Sequence, residues 1–228
     1  MLHKNESTNL LNVLLIDEHP YMVELYKNLI CGLNPEIGLN FIIAKNCEDA
    51  NNNLEFLKQS AIKLNIAIIE IGLPPFKKIE NGADIATIIK KDFPNCKIIV
   101  VTAFKEPLAV YYLLQKTTIE AVLCKSDMDN EEFIKMYESV INCKTYRSKR
   151  IQERIASIAQ NKFDLDFYDL QILQRLQEGK KTRDLINYIS LSLSTIEKRK
   201  ANLKRIFLEN GGTDKNLIEK LKSIGILN

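Results

Sequence analysis

Short apolar runs alternate with amphipathic stretches through the first 142 residues, and this alternation restricts the fold more than any other feature. The runs fall at residues 13–16, 41–44, 66–69, 98–101 and 121–123. Each is short and continuous, as suits a strand covered on both faces. Between and after them, residues 20–30, 49–59, 84–91, 107–116 and 130–142 carry helical periodicity. Five strands alternating with five helices predict an α/β domain with a doubly wound, five-stranded parallel sheet.

In such sheets ligands sit beyond the carboxyl ends of the strands. Polar residues interrupt the apolar runs at those ends: Asp17 and Glu18 after the first, Glu70 after the third, Thr102 after the fourth and Lys125 after the fifth. Carboxylates brought together repel one another, and a divalent cation or the lysine would relieve that repulsion. Asp17, Glu18 and Glu70 are therefore candidate Mg²⁺ ligands. The alternative is that each residue is a polar strand terminus at the solvent boundary.

Net charge separates the chain into two halves. Residues 1–143 hold 14 Lys and Arg against 19 Asp and Glu, whereas residues 144–228 hold 18 against 10. A basic half suits a polyanionic partner. The five cysteines are scattered, without a close pair of metal-binding type, which fits reduced thiols in a cytoplasmic protein. Residues 1–10 read as a polar tail, and no apolar run approaches membrane-spanning length.

Residues 143–163 read as a helical linker, and the rest as a small all-α domain. Asp166 and Asp169 have capping-box spacing, and Gly179 stops the helix that follows them. Thr182 is expected to cap a second helix with Leu185, Ile186 and Ile189 turned inward. After the tight connection at 190–192, a third helix over 193–207 is expected to bury Ile196, Leu203, Ile206 and Phe207. Its open face carries Glu197, Lys198, Ala201, Asn202 and Arg205. A last helix over 214–224 carries Leu217, Ile218, Leu221 and Ile224. Two short helices about a tight turn, the second basic, form a helix-turn-helix for the DNA major groove. Lys198, Arg199, Lys200, Lys204 and Arg205, with Lys180, Lys181 and Arg183, supply phosphate-seeking charge. A solvated basic helix is the plainer alternative.

The segments Leu14-Leu15-Ile16-Asp17-Glu18-His19-Pro20, Ile68-Ile69-Glu70-Ile71-Gly72-Leu73-Pro74, Val100-Val101-Thr102-Ala103 and Leu123-Cys124-Lys125-Ser126 resemble the signatures of two-component receiver domains over residues 11–142. Residues 164–228 resemble the LuxR-type DNA-binding domain, and together they resemble the NarL/FixJ-type response regulators. The resemblance implies a flavodoxin-like receiver with Asp17 and Glu18 as its acidic pair. It also implies Thr102 and Lys125 as phosphate sensors and Glu70 at the phosphoacceptor position. It implies duplex DNA, a homodimer and a sensor kinase or other regulatory protein as partners, and no enzymatic role. Glu197, Lys198 and Ala201 match positions that face base edges in that family, and Lys180, Lys181, Thr182, Ser194, Thr195, Lys204 and Arg205 complete the candidate DNA-binding set.

Departures from the pattern bear on mechanism. Glu70 replaces the acceptor aspartate, Val122 stands where a switching aromatic is usual, and residues 77–80 enlarge the loop after the third strand. Conventional phosphotransfer is therefore not expected. A receiver acting by partner or ligand docking, and a conventionally phosphorylated one, are the competing readings.

Overall fold

The computed structural model describes residues 10–103, 110–111, 113–114, 117–160, 165–208, 211–223 and 227. The chain divides into two compact units, with a boundary between Ile151 and Gln152.

The first unit holds strands β1 (Leu10–Ile16), β2 (Gly38–Ala44), β3 (Ile66–Ile69), β4 (Lys97–Thr102), β5 (Ala121–Cys124) and β6 (Tyr146–Arg147). They form one sheet in the order β2-β1-β3-β4-β5-β6, and every pair is parallel. The sheet has six strands, not the expected five. The stretch read as linker begins with β6, where Tyr146 and Arg147 pair with Ala121 and Val122. Polarity hid this strand, because it is two residues long and only half-buried.

Helices α1 (Pro20–Leu33), α2 (Cys47–Gln59), α3 (Gly82–Asp92) and α4 (Asn130–Ile141) lie within a few residues of the periodic segments. Their starts have local causes. Pro20 occupies the first turn of α1, and the side chains of Asn46, Asn81 and Asp129 accept from backbone N–H groups of α2, α3 and α4. The helix expected over 107–116 falls largely outside the described residues. Val13, Leu15, Ile68, Ile99, Val101 and Leu123 pack with Tyr26, Ile30 and Phe133 in the core. Burying these strands on both faces holds their carboxyl ends in one row.

Helix α5 (Lys149–Gln160) follows β6. The second unit holds α6 (Phe167–Gln177), a 3-10 segment (Thr182–Asn187), α7 (Leu193–Phe207) and α8 (Asp214–Ser223). Leu173, Leu185, Ile196, Leu203, Phe207 and Leu217 make its core. The capping box of Asp166 and Asp169 forms as expected. Three expectations change. Residues 182–187 wind as a 3-10 segment preceded by Lys181, so Thr182 does not cap it. Its tighter winding turns Ile186 outward to 50% exposure while Leu185 and Ile189 stay buried. Ile206, at 36% exposure, leaves the buried stripe of α7. Ile224 lies outside the described residues.

Candidate functional site

Asp17 leaves β1 fully buried, and four donors surround its carboxylate. The backbone N–H and Nδ1 of His19 each lie 3.0 Å from Oδ1. Tyr26 donates its hydroxyl to Oδ2 at 3.2 Å, and Lys125 donates to the same oxygen at 2.8 Å. Glu70, 5% exposed, folds back on its own loop, so that Oε1 accepts from the N–H groups of Ile71 at 2.8 Å and Gly72 at 3.1 Å. Its Oε2 meets Lys125 Nζ at 2.6 Å. The ammonium thus bridges two buried carboxylates. Burial alone would lower the Lys125 pKa, yet hydrogen bonds to Asp17 and Glu70 and the charges of both outweigh it and hold the ammonium above the usual lysine range. Burial, reinforced by the charges of Asp17 and Glu70, keeps the Tyr26 hydroxyl protonated far above the usual tyrosine range.

Thr102, 3% exposed, ends β4 in register with Cys124, next to Lys125. Glu18 turns outward and is exposed. The expected set of three carboxylates therefore does not assemble. Among the described residues no group of three or more His, Cys, Asp and Glu side chains is placed to hold a metal ion. Mg²⁺ does not fit this arrangement, because donors saturate Asp17 and Lys125 already supplies the positive charge.

The loop after β3 is organised by its inserted residues. Phe76 and Ile79 exchange backbone hydrogen bonds at 2.8 and 2.9 Å, closing a two-residue turn over Lys77 and Lys78. Ile79 is buried and Lys77 takes a positive φ of 53°. The loop returns to α3 at Gly82, whose N–H donates to the Ile71 carbonyl at 2.9 Å. A Cβ at Gly82 would lie 2.0 Å from the Glu70 carbonyl oxygen, so this approach needs glycine.

In the second unit, Ser192 caps α7 by accepting from the Thr195 N–H, and its hydroxyl lies 3.0 Å from that of Ser194 and 2.8 Å from that of Thr195. Ser194, Glu197, Lys198, Ala201, Asn202 and Arg205 are exposed along one face. Lys180 and Lys181 are exposed nearby in sequence, Lys180 with its ammonium 5.4 Å from the Tyr188 ring centre.

Other predicted cations turn inward. Arg199 reaches Asp166 at 2.8 Å and Asp169 at 3.0 Å, pinning α7 to the start of α6. Lys200 and Lys204 both end on Asp214 of α8, and Lys200 also donates to the Thr182 hydroxyl. Lys204 and Thr182, both candidate DNA-binding residues, are thus engaged within the unit. Charge patterning singled out the cations and missed their acidic partners, because Asp214 reads as an ordinary first-turn residue. Tyr26 was likewise legible only as core, in step with Val23 and Ile30.

The first unit has the parallel α/β architecture of receiver domains, and the second has a helix-turn-helix arrangement. Among solved structures, the chain shares its fold with RcsB from Salmonella enterica serovar Typhimurium bound to promoter rprA in the presence of the phosphomimetic BeF3⁻. There the TM-score is 0.67 and identity 20%, over 94% of this chain and 99% of that one. RcsB bound to promoter P1flhDC gives 0.65 and 18%, over 93% and 98%. The Salmonella typhimurium RcsB response regulator in a further structure gives 0.65 and 20%, over 95% and 98%. No family model matches the chain, and neither does any curated protein. Among the described residues no helix is long and apolar enough to cross a membrane.

Proposed function

We propose that this chain is a sequence-specific DNA-binding transcription regulator of the NarL/FixJ response-regulator type, acting as a homodimer. The observation that carries the reading is the exposed row on α7, Glu197, Lys198, Ala201, Asn202 and Arg205, on a 15-residue helix following a tight turn. Side chains on such a row can reach base edges in the major groove. Two of the RcsB structures that share the fold are bound to promoter DNA, which supports the same role here.

The test is titration of the full chain against duplex DNA over a salt series. Lys180, Lys181, Lys198 and Arg205 are exposed cations with no acidic partner among the described residues. Four such cations per protomer, eight in the homodimer, give a slope of about −7 in log affinity against log salt, and a loss on the order of 10⁴-fold between 50 and 200 mM. Binding that ignores salt, or is absent at low salt, contradicts the reading.

The first unit is read as a receiver that works without conventional phosphotransfer. The support is the Lys125 bridge: Glu70 is a methylene longer than aspartate and is committed to Lys125 and two backbone N–H groups. In-line transfer tolerates little displacement of the acceptor. Incubation with acetyl phosphate and Mg²⁺ is expected to add no phosphoryl mass to the intact protein and to leave its melting temperature unchanged. A covalent phosphoryl adduct on Glu70 would restore the conventional reading. The ordered turn at Phe76–Ile79 favours a second reading, in which a regulatory protein docks on this unit to control DNA binding.

A further inference from the structure

Three of the five cations on α7 are already paired inside their own unit. Asp214 takes two of them, with Lys200 Nζ at 3.0 Å and Lys204 Nζ at 2.7 Å. The lysine side chains are only 17% and 22% exposed and that of Asp214 35%, so solvent screens this clamp less than an open surface pair. Burial would raise the Asp214 pKa, yet Lys204 and Lys200 hold its carboxyl below the usual range. Lys204 lies three residues beyond Ala201, and residues at that spacing are neighbours on a helix surface. It therefore borders the exposed row without belonging to it.

We infer that Asp214 limits how many DNA phosphates α7 can engage, withholding Lys200 and Lys204 so that recognition leans on the few side chains of the exposed row. The inference rests on the DNA-binding reading of α7. A phosphate approaching Lys204 must displace a carboxylate already in contact, exchanging one ion pair for another. Without the carboxylate, each freed lysine adds a phosphate contact and a released counterion.

The experiment compares full-length wild type, Asp214→Asn, Lys204→Ala and the double variant on one mixed-sequence duplex over a salt series, with thermal melts reporting folding. Asp214→Asn is expected to steepen the salt slope by about 0.9 for each lysine released and to raise low-salt affinity on the order of tenfold. Adding Lys204→Ala is expected to return the slope toward wild type. Lys204→Ala alone is expected to leave the slope unchanged, an arm that does not require the Asp214 variant to fold. A folded Asp214→Asn with an unchanged or shallower slope overturns the inference, as does a shallower slope for Lys204→Ala. Wild type that binds no duplex at low salt overturns the DNA-binding reading and this inference with it, and is distinguished by failing before any variant is compared.

Discussion

Replacing Lys125 by methionine is expected to cost the first unit about 3–5 kcal/mol of stability, the scale for removing one partner of a buried ion pair. The ammonium lies 2.8 Å from Asp17 and 2.6 Å from Glu70, and the two carboxylate side chains are 0% and 6% exposed. Without it, two buried negative charges face each other uncompensated. Adding Glu70→Gln to Lys125→Met removes one charge and should recover part of the loss, whereas independent sites would add. Urea melts of the four proteins measure this, and a single-variant cost below about 1 kcal/mol, the scale of a surface pair, would show that Lys125 does not compensate the site. The folded-state pKa of Lys125 is raised, so its stabilisation is fully present below the unfolded lysine value near ~10.4 and is lost as pH rises through the folded value. The gap between wild type and Lys125→Met should therefore hold constant around neutrality and narrow only in strongly alkaline solution.

Two glycine-to-alanine changes are expected to act with opposite signs. At Gly82 the added methyl would sit 2.0 Å from the Glu70 carbonyl oxygen and 3.0 Å from Ile69 Cγ2. Relief requires moving the backbone that aims Glu70 at Lys125, so a loss of about 1–3 kcal/mol or more is expected. At Gly32, near the end of α1, nothing lies within 4 Å of the added methyl, and helix propensity should yield about 0.5 kcal/mol of stability. Equal midpoints for wild type and Gly82→Ala in urea would show that α3 does not depend on this close approach.

The parts legible in the sequence are those set by local patterning. The positions of β1, β3, β4 and β5 followed from continuous apolar runs, because a strand covered on both faces leaves no alternation to misread, whereas only the end of the half-exposed edge strand β2 was apolar enough to see and β6 was not. The exposed row of α7 followed from helical periodicity, whereas its N-cap, Ser192, lay unassigned within the tight connection. Features built by distant partners were legible only in part. Asp17 and Lys125 are 108 residues apart; their places at strand ends predicted that they converge, but left open whether the lysine or a cation relieves the carboxylates. Arg199 and Lys204 looked like DNA ligands because charge patterning records sign and spacing, and is blind to an acid supplied by another helix. Ile186 was misplaced because a 3-10 segment rotates side chains differently from the α-helix its spacing suggested.

The short strand β6 bears on how the protein can be taken apart for study. A fragment ending at Asn142, where the sequence pattern suggests the first unit finishes, would strip the outer neighbour from β5 and leave its apolar residues Ala121–Cys124 with a bare hydrogen-bonding edge. Such an edge is a template for pairing with other chains. The Arg147 guanidinium, which donates to the carbonyls of Ile119 and Glu120, would be lost with it. So would Ser148, whose buried hydroxyl accepts from Cys124 N–H and donates to Asp127. A fragment carried on to Ile151 keeps that seam closed and should stay monodisperse at concentrations where the shorter one self-associates.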